Sequence, residues 1–125
     1  REYAEAVAGS AVRILTRSTD HYDHVVPTQE EVVLAVRRLR QGFAFVGILE
    51  KYVMSICLAH AMFGGSCREE EFFTAHVGDN RTTVEYDVTP LQGFRDAADA
   101  AVYEEGNRIF EENLRLYGVS EESCK

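Results

Sequence analysis

Residues 43–65 constrain the fold of this chain more than any other stretch. Phe43-Ala44-Phe45-Val46-Gly47-Ile48 is nearly all apolar. A strand buried on both faces of a parallel sheet reads this way, because neither face has to be polar. From about Leu49 to Phe63 the apolar residues change to helical spacing. Tyr52, Val53, Ile56, Cys57, Ala59, His60 and Phe63 give a wide apolar face, and Gly64-Gly65 ends it. A helix is also expected before this stretch. Thr28 is a good N-cap, and Glu31 three residues on completes a capping box. Val32, Val33, Val36 and Leu39 recur at helical spacing, Arg37, Arg38 and Arg40 are read as facing out, and Gly42 is the stop. Helix, strand, helix in succession predicts an α/β layer. One strand makes no sheet, so its partners are expected to lie outside these 125 residues.

The rest of the chain is read around that unit. Residues 1–26 are ambiguous, with a short helix or strand around Ala11–Leu15. Residues 66–95 read as a long loop with little regular structure. A loop of that length in a compact domain is usually functional or disordered. A last helix is predicted from about Asp96 to Tyr117, with Asp96 as its cap and Asp99 at the positive end of its dipole. Val102, Tyr103, Gly106, Ile109, Phe110, Asn113, Leu114 and Tyr117 trace its face, and Gly118 stops it.

Composition bounds the partners. Apolar residues at 46% and charged residues at 27% suit a folded globular domain. A net charge of −8 opposes nucleic acid and anionic membranes at long range but leaves room for a local anion pocket. The longest apolar run, Tyr52 to Gly65, is too short to cross a bilayer. Arg1 opens directly into Tyr3-Ala4-Glu5-Ala6-Val7, so the chain reads as excised from something longer. Cys57, Cys67 and Cys124 match no zinc or redox spacing. They allow one internal pair plus one thiol that is free or bonded elsewhere.

Few constellations carry chemistry. His21-Tyr22-Asp23-His24 has ligand types, but two His at this spacing make no metal site without further ligands, and a solvated loop is the default. His60 reads as a packing histidine before a catalytic base, and Cys57 one turn earlier as a buried, inert thiol. Glu69-Glu70-Glu71 reads as a solvated acidic run. There is no phosphate-cradling glycine loop, nucleophile elbow or zinc motif. Asn80-Arg81-Thr82-Thr83 is the cluster of most interest. Arg81 offers a forked donor for a phosphate, with hydroxyls beside it. Asn80-Arg81-Thr82 is also an N-glycosylation sequon, and a glycan would exclude a cofactor contact at the same Asn.

An ordered series of segments resembles a known family. Phe43-Ala44-Phe45-Val46-Gly47-Ile48-Leu49-Glu50 resembles the "F-x-F-V-G-x-T-E" element of sulfotransferases related to heparan sulfate 2-O-sulfotransferase. The series also resembles sulfotransferase-domain proteins of unicellular algae. Ser55-Ile56-Cys57-Leu58, Met62-Phe63-Gly64-Gly65 and Cys67 look like the helix that follows and its stop. Asn80-Arg81 looks like the Asn-Arg element of a later loop. Tyr86-Asp87, Asp96, Asp99 and Val102-Tyr103 resemble the closing "Y-D … D-x-x-D-x-x-V-Y". Val12-Arg13-Ile14-Leu15 is a looser early match, with Thr16-Arg17 in place of "x-G", and Leu49 stands where the family has Thr.

The resemblance implies the C-terminal portion of a P-loop-like sulfotransferase fold, with residues 1–125 forming one fragment of a single domain. The complete domain would move a sulfuryl group from 3′-phosphoadenosine 5′-phosphosulfate to a hydroxyl acceptor, usually on a glycan, in the Golgi lumen of a membrane-anchored parent. The 5′-phosphosulfate loop and the catalytic base lie upstream in that family. The chain is therefore expected to hold no catalytic residue and to be inactive alone, with Asn80, Arg81, Thr82 and Thr83 on the donor nucleotide. Two rivals stand beside this reading: a small helical protein-interaction module without chemistry, and a truncated, inactive gene product.

Overall fold

The computed structural model describes residues 1–17, 24–73 and 87–124. Among them are helices α1 (Glu2–Val7), α2 (Ser10–Thr16), α3 (Gln29–Gly42), α4 (Tyr52–Phe63) and α5 (Ala97–Leu116). Short 3₁₀ turns lie at Leu49–Lys51, Glu69–Phe72 and Thr89–Leu91. No strand occurs among the described residues, so the predicted α/β class is wrong for this chain, which is mostly helical. The chain divides into two compact units. One comprises Arg1–Ala44 with Asp87–Gly106, the other Phe45–Tyr86 with Asn107–Lys125.

The expected strand explains the error. Its backbone is extended at both ends, with φ −110° and ψ 130° at Phe43 and φ −115° and ψ 122° at Ile48. A strand is defined by a hydrogen-bonded neighbour as well as by extension, and none of the described residues supplies one. Instead Ser55 on α4 fastens the end of the segment. Its hydroxyl accepts from the Ile48 amide at 2.9 Å and donates to the Ile48 carbonyl at 3.0 Å. The 3₁₀ turn Leu49–Lys51 then leads into α4, which ends at Phe63 as its glycines require. Gly64 and Gly65 both have left-handed φ, 89° and 91°.

In the first unit α3 forms as its capping box predicts. Glu31 N–H donates to Thr28 Oγ1 at 3.2 Å, and Thr28 N–H donates to Glu31 Oε2 at 2.8 Å. Its buried pair is Val32 and Ala35, and Val33 is 58% exposed, so the apolar stripe is narrower than expected. Val12, Val32, Ala35 and Val102 make a small core, with Ala11, Leu15, Leu39, Ala98 and Ala101 packed around it. Two of the arginines read as facing out do more than that. Arg38 donates to the carbonyls of Leu15 and Thr16 at 2.8 and 3.2 Å, satisfying the C-terminus of α2. Arg40 forms an ion pair with Glu105, which is buried.

In the second unit Ile48, Leu58, Phe110 and Leu114 form the core, with Phe45, Met54, Met62 and Val119 against it. Phe110 and Leu58 are fully buried, each contributing about 1.5–3 kcal/mol of transfer free energy. Helix α5 stops at Gly118 with φ 65°. Val119 N–H donates to Leu114 O at 2.9 Å and Gly118 N–H to Arg115 O at 3.3 Å, the two bonds of a Schellman ending. The apolar contact that accompanies it is present, because Val119 packs on the cluster containing Leu114. A Cys57–Cys124 disulfide, with 5.6 Å between Cα atoms, ties α4 to the residues after α5.

Candidate functional site

The residues assigned to the donor nucleotide, Asn80, Arg81, Thr82 and Thr83, lie outside the described residues, as do His21, Tyr22 and Asp23. The described neighbours of the first cluster are Phe73 and Asp87. Asp87 lies just before the 3₁₀ turn at Thr89–Leu91, and Thr89 N–H donates to its Oδ1 at 2.9 Å. The Thr89 side chain and amide together hold the Asp87 carboxyl below its usual range. His24 is engaged locally, with Nδ1 2.7 Å from Ala6 O. No three His, Cys, Asp or Glu side chains converge as metal ligands among the described residues.

A polar arrangement in the second unit is built on His60. Helix α4 carries it near its C-terminus, and the left-handed Gly65 brings the chain back beside the ring. A Cβ at Gly65 would stand 3.2 Å from His60 Nδ1, so the return needs glycine. His60 Nε2 lies 2.9 Å from Glu71 Oε2, and Nδ1 lies 3.3 Å from the Gly64 carbonyl. Both facing atoms are acceptors, so a ring N–H donates to them. Glu71 also accepts from Arg68 N–H at 2.8 Å, and Tyr52 Oη donates to the Glu71 carbonyl at 3.0 Å. The Arg68 amide first, and then the imidazole of His60, hold the Glu71 carboxyl below its usual value.

This arrangement anchors residues 68–73 to α4. The two ring contacts make His60 a fastener between α4 and the residues that follow it. The acidic run was only partly legible. Glu69 and Glu70 are exposed, whereas Glu71 is the partner of His60. The spacing of Arg68 and Glu71 around the start of a 3₁₀ turn is the signal that was available.

A pocket of about 510 Å³ adjoins His60. Cys57, Cys67, Tyr117, Val119 and Cys124 line it together with His60. Cys57 is buried as expected, but it is bonded to Cys124 and not a thiol; Cys67 is the free, exposed one.

In the first unit a second polar cluster gathers on Asp96 and Asp99. Asp96 caps α5, accepting from Asp99 N–H at 3.1 Å, and accepts from Gly9 N–H at 2.8 Å. Asp99 accepts from the amides of Ala11 and Val12 at 3.0 and 3.1 Å. Those amides belong to the first turn of α2, where carboxylates satisfy orphan donors and the positive end of the helix. The two carboxylates thus bring the first and last segments of the resemblance together. A pocket of about 440 Å³ beside them is lined by Val26, Pro27, Val32, Phe94, Arg95 and Ala98 among others.

No family model, no curated protein and no solved structure matches this chain. No helix among the described residues is long and apolar enough to cross a membrane.

Proposed function

We propose that this chain is a helical segment of a sulfotransferase that takes 3′-phosphoadenosine 5′-phosphosulfate as donor and a glycan hydroxyl as acceptor, and that the segment is inactive alone. The observation that carries this reading is the role of its motif residues. Val12, Asp96 and Asp99, drawn from the two ends of the ordered series, are joined by charge-assisted hydrogen bonds. Ser55 and Cys57 of the middle element fasten the extended segment and close a disulfide. Residues that a family pattern keeps at fixed places are expected to do such work. The disulfide also supports an oxidising compartment such as the Golgi lumen.

Sulfuryl transfer, like phosphoryl transfer, depends on positioned cationic and N–H donors around a charged group. In this reading Arg81 is the forked donor near the 3′-phosphate, with Asn80, Thr82 and Thr83 beside it. The test is a gene product that includes the sequence upstream of residue 1. A "P-K-x-G-(S/T)" loop is expected there. Arg81→Ala in that protein weakens donor binding by roughly 1.5–3 kcal/mol, and Arg81→Lys restores only part of it. Unchanged donor affinity in Arg81→Ala, or a glycan on Asn80 in active enzyme, removes the site. Donor turnover by the 125-residue chain alone contradicts the segment reading.

A second reading, a helical protein-interaction module, is favoured by the helical architecture and by the closed apolar core in each unit. Stable cooperative folding of the chain with capture of a protein, and no affinity for the nucleotide in any longer product, would select it.

A further inference from the structure

All three cysteines of the chain line a single shared pocket in the second unit. Two are joined, and the third is a free, exposed thiol. We propose that Cys67 exchanges with the Cys57–Cys124 disulfide, giving the unit two covalent states.

The stretch that carries Cys67 lies between the left-handed Gly65 and the 3₁₀ turn that starts at Glu69. It therefore lines the pocket shared with the disulfide from irregular backbone, without a helix having to unwind. The far side of the pocket is the terminal tail, Gly118, Val119, Ser123 and Cys124. Ser120 and Ser123 hold that tail in a short turn, with Ser123 N–H on Ser120 Oγ at 3.2 Å.

In the exchange Cys67 gives up its thiol proton, and its thiolate bonds to Cys57 Sγ. The Cys57–Cys124 bond breaks, and Cys124 leaves as a thiolate that takes up one proton. One disulfide is broken and one is made, so no oxidant or reductant is consumed. Cys124 is the leaving group because it is the more exposed of the pair. A thiolate released at buried Cys57 would lack solvation. The outcome moves the cross-link from the C-terminal tail to the start of the loop after α4. The tail wall of the pocket is freed, and residues 66–68 are tied to the helix instead.

The test uses the oxidised 125-residue chain at pH 8 without added thiol. Samples are quenched with acid over minutes to hours, the scale of uncatalysed disulfide rearrangement. Free thiols are then labelled with N-ethylmaleimide. Cleavage at Met62 and Arg68 separates the three cysteines for mass mapping. The expected result is loss of label from Cys67, its appearance on Cys124 and a Cys57–Cys67 linkage, at a rate independent of protein concentration. In Cys67→Ser the Cys57–Cys124 linkage persists and no cysteine is labelled. Label confined to Cys67 at all times overturns the proposal. So does label on Cys57, which would make Cys124 the attacked sulfur, or a rate that scales with concentration.

Discussion

In the unit formed by residues 1–44 and 87–106 the fully buried apolar side chains are the small Val12 and Ala35, and the long-range ties are carboxylates on amides and guanidinium groups. In the unit formed by residues 45–86 and 107–125 they are Phe110 and Leu58, and the long-range ties are a Lys51–Glu111 ion pair and the Cys57–Cys124 disulfide. A small core supplies little transfer free energy, so the first unit depends on ionised groups in exact positions. A larger core closed by a disulfide depends on them less. The first unit is therefore expected to respond more strongly to protonation and the second to reduction.

The largest expected effect is in the second unit. Cys57→Ser with Cys124→Ser opens a loop of 67 residues, which the chain-entropy account values at about 4 kcal/mol. Phe110→Ala removes a fully buried ring from the same core and costs roughly 4 kcal/mol as well. Chemical denaturation of each variant measures both. A loss below 1 kcal/mol in either would remove the contrast between the units.

Next comes the first unit. Asp99→Ala leaves the Ala11 and Val12 amides without acceptors and costs about 2 kcal/mol, whereas Asp99→Asn keeps one acceptor and costs about half as much. Equal losses in the two variants would mean that the side chain acts through packing and not through its oxygens.

The smallest effect is a titration. The Arg17 guanidinium, then the Thr28 amide, hold the Glu31 carboxyl down to about 2 from an ordinary 4.5. A carboxyl whose folded value lies below its unfolded value contributes stability above the unfolded value and loses it as pH falls to the folded one. The difference in melting temperature between wild type and Glu31→Gln is thus expected to shrink as pH drops from 4.5 towards 2. A difference that stays constant over that window would place the contribution of Glu31 outside its charge. Glu71 is held down in the same direction, so acid is also expected to loosen the His60 contact.

These ties separate what the sequence could show from what it could not. The Thr28 and Glu31 capping box, the Gly64-Gly65 stop and the Gly118 ending were legible because each is made by residues a few positions apart. The position of α5 was legible from its period and from Asp96. The strand expectation rested on the apolar character of residues 43–48, and apolar character gives burial, not a hydrogen-bonded neighbour. The pairs of Asp99 with Val12, Arg40 with Glu105 and Cys57 with Cys124 span 87, 65 and 67 positions. Spacing along the chain carries no signal for contacts so distant. Glu105 was especially opaque, since a buried glutamate on a helix face looks like a solvated one until its arginine is known.

Hydrogen exchange with and without reductant tests the contrast most directly, because it reads each helix separately. Reduction is expected to raise amide exchange in α4 and in residues 107–116 of α5, while α2 and α3 keep their protection. Equal loss of protection in α2, α3 and α4, or an α4 indifferent to reduction, would contradict the account.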